Sequence, residues 1–224
     1  MQTIGNAIQF EIEQYARSLV HSNALFRAAE KGALTPEQVK IYISGILFQI
    51  RGSLKVLRRA ERLASATGDH ALAAHYRLKF REECGHDRWA ERDLKSLRGS
   101  YTEYECNGSM RALKDLIAYL NQVIDLDPCL FLSYLLLSEY LTVLAGPAWL
   151  EALEGKCGIP RNNVSVVANH IELDREHVID GVREIDVLIA SPDKREAMLD
   201  VVAKSIAYYD RFWSEILLAS PMAA

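Results

Sequence analysis

This 224-residue chain is poor in the residues that staple or punctuate a fold. Its four cysteines, Cys84, Cys106, Cys129 and Cys157, form neither a CxxC pair nor a dense framework. That argues against a disulfide scaffold and for a reducing compartment, with the cysteines serving as small buried side chains. Alternating apolar runs bounded by Asn-Gly or Asp-Gly are missing, so strands are not expected. Basic blocks are missing as well. With a net charge of −4 and a pI near 5.9, the chain does not read as a nucleic-acid binder, and Arg58, Arg59 and Arg62 read as solvated helix surface. The N-terminus lacks a basic start followed by an apolar run, so a secretory signal is not expected. The longest apolar stretch, Cys129 to Leu137, falls far short of a membrane span, so the expected location is cytoplasmic, with no membrane partner.

What the chain does have is apolar residues at three- and four-residue spacing through long segments, with half of all residues hydrophobic. An all-α fold follows, as one domain over residues 1–224 and a bundle of seven to eight helices. The spacing predicts a first helix to about Val20 and a short one ending near Lys31-Gly32. Thr35-Pro36-Glu37-Gln38 reads as a capping box with proline at the first helical position, opening a long helix to about Ala66. Thr67-Gly68-Asp69 breaks it. Another long helix is predicted from His70 to Leu97, closed by Gly99, then one from Met110 to Gln122. Asp127-Pro128 opens an apolar helix that reaches Pro147 and continues, kinked, to Glu154. A helix around His170 and a last one from Ser191-Pro192-Asp193 to Leu218 complete the bundle.

The strongest chemical signal lies at His170, Asp174 and His177. On a helix these i, i+4 and i+7 positions fall within about 60° of one another. Val167, Ile171, Val178 and Ile185 set that stripe beside the apolar face. Two imidazoles and a carboxylate turned inward are costly without a partner, and a divalent cation satisfies all three. Three ligands do not complete the shell of an iron-like ion, so other helices must contribute. Glu139 is the sole charge in an otherwise apolar segment, and Glu83 and His86 have the Glu-x-x-His spacing of carboxylate-bridged di-iron bundles. Glu82 with His86, at i and i+4, is a rival pairing. The set is Glu83, His86, Glu139, His170, Asp174 and His177, enough for two metals. Two ferrous ions against three carboxylates leave a small positive charge, which would attract one anionic group.

At these residues the chain resembles the haem-oxygenase-like di-metal oxidases and oxygenases, the superfamily of the TenA, PqqC and chlamydial death-domain-associated proteins. The matching features are the HxxxDxxH run at His170, the isolated Glu139 about thirty residues earlier, and the EExGHDxWxxxDL run from Glu82 to Leu94. Leu25 to Gln38 is similar to the superfamily's first inter-helix segment. The resemblance implies two iron ions, with manganese an alternative, and O2 as cosubstrate. It also implies a small-molecule substrate, an external electron donor and a homodimer. In the chlamydial branch the first glutamate precedes its histidine by seven residues, a position held here by Lys79. The spacing instead resembles the branch that decarboxylates fatty acids or cleaves amino-acid side chains. Tyrosines of the chlamydial branch are replaced by Ser138 and Val166, and the glycine-rich distal helix of true haem oxygenases is missing.

The expected activity is therefore O2-dependent oxidation of a small organic acid, fatty acid or amine-type substrate. Glu139 is the expected bridging ligand and catalytic residue. Asp87 and Asp93 are candidates to orient His86 from behind, or to make surface ion pairs. Gly181 suggests either room for substrate or close helix packing. His21, His70 and His75 read as structural or solvated, and Trp89, Trp149 and Trp213 as core or interface. Two rival readings remain: a single iron held by His170, His177 and one carboxylate, and a metal-free TenA- or PqqC-like protein that binds a heterocyclic small molecule.

Overall fold

Helix-forming signals are obeyed nearly everywhere along the chain. The computed structural model describes residues 2–99, 110–189 and 191–219; Cys106 lies outside them. Among the described residues there is no strand. The helices are α1 (Ile4–Ser22), α2 (Ala24–Glu30), α3 (Pro36–Ala66), α4 (His70–Glu83), α5 (Asp87–Ser96), α6 (Arg111–Leu126), α7 (Phe131–Gly155), α8 (Ser165–Leu188) and α9 (Arg195–Leu218). The capping box at α3 forms as written: the Thr35 hydroxyl accepts from Gln38 N at 3.3 Å, and Gln38 Oε1 accepts from Thr35 N at 3.0 Å. Asp69 caps α4 by accepting from Leu72 N at 3.0 Å.

The helix expected to run unbroken from His70 to Leu97 is in fact two. Cys84, Gly85 and His86 interrupt it, and Gly85 takes φ +100°, a left-handed conformation that costs a side-chain-bearing residue dearly. No atom lies within 4 Å of where a Gly85 Cβ would stand, so conformation alone demands the glycine. Counted with this break as one bent helix, the bundle has eight members among the described residues.

At the centre runs α7, with α1, α8 and α9 packed on it, while α3 carries α4, α5 and α6. Because α7 is wrapped by neighbours, it has no polar stripe, and Pro147 sits inside it without ending it. Together with the 3₁₀ turn before it, the segment Pro128–Gly155 is long and apolar enough to cross a membrane, contrary to the expectation from Cys129–Leu137 alone. Most of its apolar stretch is instead buried inside the protein, as the core helix of the bundle. Helix α8 approaches α7 closely. A Cβ on Gly146 would meet Ile171 Cδ1 at 2.7 Å, whereas one on Gly181 would make only ordinary contact with Leu136 Cδ1 at 3.4 Å. This contact sets the inward stripe of α8 against the single acid of α7.

Candidate metal centre

Four charged side chains are buried among the described residues: Lys79, Asp93, Glu139 and Asp174. All four lie in or directly behind one cluster, where α4, α5, α7 and α8 converge. Burial of charge is costly, so their concentration in one place calls for a common partner.

The six sequence-predicted ligands fall into two donor groups. Glu83, His86 and His170 form one; Glu83, Glu139, Asp174 and His177 form the other. Within each group the candidate donor atoms lie within 4.8 Å of one another. Glu83 belongs to both groups, whereas Glu139, the expected bridge, belongs to the second. The reason lies in the helix break. Glu83 is the last residue of α4, and the turn at Gly85 lets it reach both His86 within the break and the acid cluster behind.

In the first group, His86 Nδ1 lies 3.1 Å and His170 Nε2 3.8 Å from Glu83 Oε2. His170 Nδ1 stands 2.7 Å from the Val166 carbonyl, which can only accept, so Nδ1 carries the proton. Its Nε2 is then the atom presented to the group. The imidazoles of His86 and His170 meet edge to face at 5.0 Å, and Trp89 stacks on His86 at 4.2 Å. Trp89 thus supports the His86 ring, whereas Trp149 and Trp213 are core residues.

In the second group, His177 Nδ1 and Asp174 Oδ1 lie 3.4 Å apart without hydrogen-bond geometry, and both atoms are buried without a partner. Glu139 Oε1 takes the ammonium of Lys79 at 3.3 Å, and the same ammonium lies 3.4 Å from Glu82 Oε2. Glu82 comes no nearer than 4.0 Å to His177 Nε2, and it stands outside both donor groups. Of the rival acids of the Glu-x-x-His pair, Glu83 belongs to both donor groups and Glu82 to neither.

These contacts fix the protonation pattern. Burial would raise the Glu83 carboxyl, but bonds to His170 and His86 outweigh it and hold it well below the usual range. Burial likewise works against protonation of His170, and Glu83 overcomes it and pushes the imidazole up. His177 is pushed up by Asp174. Glu139 goes the other way: burial lifts it to about 7 despite Lys79, with Asp174 and Glu83 adding to the rise. Lys79 stays protonated, because Glu139 and Glu82 outweigh the penalty of its burial.

A cavity of about 180 Å³ opens from this cluster. Lys79, Glu83, Glu139, His170 and Asp174 line its polar end, and the remainder is chiefly apolar, including Phe26, Trp149 and Trp213. On the α3 wall, Gln49 donates to Tyr209 Oη at 2.7 Å and to Tyr134 Oη at 3.2 Å.

No protein-family model matches the chain, and no curated protein matches it. Among solved structures, one match is a domain of unknown function with a heme oxygenase-like fold from Shewanella denitrificans OS217. It aligns at a TM-score of 0.84 over 95% of this chain and 91% of that chain, with 15% sequence identity. The chain has a haem-oxygenase-like fold. In this haem-oxygenase-like bundle the polar cluster sits on the inner faces of α4, α5, α7 and α8, with the cavity opening beside it.

Other expectations meet mixed outcomes. Neither Asp87 nor Asp93 orients His86. Asp87 is turned to Arg51 at 3.1 Å, and Asp93 accepts from Ser165 Oγ at 2.6 Å and Val166 N at 2.8 Å. For Asp87 this is the surface ion pair that was its alternative reading. Cys84 is exposed at the helix break and Cys157 half-buried, so of the described cysteines Cys129 alone is buried. His21 and His70 are exposed, while His75 is held 3.3 Å from Glu184 behind the second group. Sequence reasoning passed over Lys79 as a member of the site. Its signal was present, since Lys79 precedes Glu83 by four residues on one helix face.

Proposed function

We propose that this chain is a non-haem di-iron, O2-dependent oxidase or oxygenase acting on a small organic acid, fatty acid or amine. One observation carries the reading: two donor groups sharing Glu83 lie at the polar end of an apolar cavity. The donors suit iron or manganese, being imidazole nitrogen and carboxylate oxygen with no thiolate. Unpartnered buried atoms on Asp174 and His177 are what a cation at the second group would satisfy.

When bound, such ions supply O2 activation, which no side chain here can supply. The protein's share is positional. Glu83, His86 and His170 would hold one ion; Glu139, Asp174 and His177, with Glu83 shared, would hold the other. The Val166 carbonyl fixes the His170 tautomer and Trp89 fixes the His86 ring, so two imidazoles are oriented before any ion arrives. The apolar cavity wall excludes water and offers contact area to a hydrocarbon portion of substrate, while the centre's residual positive charge favours an anionic group at the polar end. An external electron donor and a homodimer belong to the same proposal.

The test is metal analysis of protein purified without oxygen and reconstituted with ferrous iron, followed by O2 uptake with a panel of carboxylic acids and amines. Iron binding, with an accelerated O2 uptake that His170→Ala abolishes, is the expected result. Folded protein that binds no iron, and a His170→Ala variant indistinguishable from wild type, would refute the oxidase and favour a metal-free small-molecule binder.

A further inference from the structure

Lys79 is the one buried ammonium among the described residues, with its side chain only 7% exposed. It lies inside the acid cluster and shares Glu139 with the second donor group. The first group differs: its carboxylate, Glu83, is paired with imidazoles instead of an ammonium. An ion arriving at the second group therefore meets a like charge already seated on one of its ligands. An ion arriving at the first group meets on its carboxylate two imidazoles, which can themselves bind it, whereas an ammonium has no lone pair to offer.

Like charges a few ångströms apart in a poorly solvated site repel strongly. Glu82 offers an escape. At 3.4 Å from the same ammonium and outside both donor groups, it keeps Lys79 paired when Glu139 is taken. Without that acid the displaced ammonium would be buried alone, at high cost.

We propose that Lys79 is a resident counter-cation that makes the two ion positions unequal. The Glu83, His86 and His170 position fills first. The Glu139, Asp174 and His177 position fills only as Glu139 passes from the Lys79 ammonium to the ion, with Glu82 retaining the lysine. The inference rests on the two-ion reading above and assigns Lys79 and Glu82 a positioning role in loading it.

Titration of metal-free protein with Mn2+, read by equilibrium dialysis and by electron paramagnetic resonance at one and two equivalents, tests it without any turnover. Wild type should show one tight ion and a second weaker by at least about tenfold, or none at all. Lys79→Met should tighten or create the second class by at least about tenfold and leave the first unchanged. Glu82→Gln should weaken the second class in the wild-type background and have no effect beside Lys79→Met, since it acts only through the lysine.

Two equal classes in wild type, or a second class that Lys79→Met leaves unchanged or weakens, would overturn the proposal while leaving the di-metal reading intact. Absence of Mn2+ binding in folded wild type and folded Lys79→Met alike would remove both. Should Lys79→Met fail to fold, Lys79→Gln takes its place, and equal classes in wild type still decide against the role.

Discussion

Asp93 on α5 caps α8 from outside, its buried carboxylate accepting the Val166 amide at 2.8 Å. The Val166 carbonyl in turn accepts from His170 Nδ1. The cap on the helix and the tautomer of the ligand thus depend on one peptide segment. Asp93→Ala should cost about 1–3 kcal/mol, from the lost cap and the buried donors left unmade. For a chain of this size that is a fall in melting temperature of roughly 2–12 °C. First-position metal affinity should fall with it, while Asp87→Ala, which removes only an ion pair to a part-exposed Arg51, leaves metal binding unchanged. Thermal melts and metal titrations of the two variants make the check; equal metal binding in Asp93→Ala and wild type would show that the cap does not orient His170.

Gly85, at φ +100°, turns the chain between Glu83 at the end of α4 and His86 just ahead of α5. Gly85→Ala should destabilise by about 1–2 kcal/mol through backbone conformation alone, because nothing stands near the added methyl group. Gly85→Asn should be milder, since asparagine tolerates the left-handed region better. Denaturant midpoints order the three proteins, and an alanine variant as stable as wild type would show that the break does not require glycine.

Metal uptake at the second group should depend on pH. Burial holds the Glu139 carboxyl at about 7 rather than its ordinary 4.5, with Lys79, Asp174, Glu83 and His177 as its charged neighbours. Below that value the group is mostly protonated, and an ion must displace the proton. Affinity of the weaker class should therefore rise with pH through about 7 and go on rising as His177, itself pushed up by Asp174, gives up its proton. The linkage to stability of the metal-free protein has the opposite sign. A carboxyl whose folded pKa is raised loses stabilisation as pH climbs from 4.5 toward 7. Glu83, held low, contributes stability above its ordinary 4.5 that is lost as pH falls. Mn2+ isotherms between pH 6 and 8, on the order of one unit either side of the Glu139 value, check the first statement. A second-class affinity independent of pH over that range would contradict it.

Much of this was legible in the sequence because helix periodicity and capping chemistry are local. The Thr35 box, the Asp69 cap and the inward stripe of His170, Asp174 and His177 need no tertiary information. What escaped depended on the helix break and on side-chain reach. A glycine inside a helical pattern is only a weak stop, so Gly85 was read through. Lys79 was noted only as the residue standing where the chlamydial branch has its first glutamate; its ammonium meeting Glu139 of α7 is a tertiary contact that the sequence does not record. The charged neighbours of a site come from several helices at once, and periodicity along one helix does not record them.

The apolar wall of the cavity should behave as a measuring surface for substrate. Ala145, buried on α7, lines the cavity and so faces open space. A hydrocarbon chain seated there gains about 0.8 kcal/mol for each methylene removed from water, roughly fourfold in affinity, until the volume of about 180 Å³ is filled. With Mn2+-loaded protein, calorimetric binding of saturated carboxylic acids of increasing length should show that progression and then a plateau. Ala145→Leu places three more carbons in the cavity and should move the plateau to shorter acids. Metal content should not change, because Ala145 belongs to neither donor group. An unchanged plateau in the leucine variant would mean that substrate does not occupy this cavity. A shifted plateau with intact metal content would fix α7 as the wall that selects chain length, and the ion-binding end and the length-selecting end of the site would be separable by mutation.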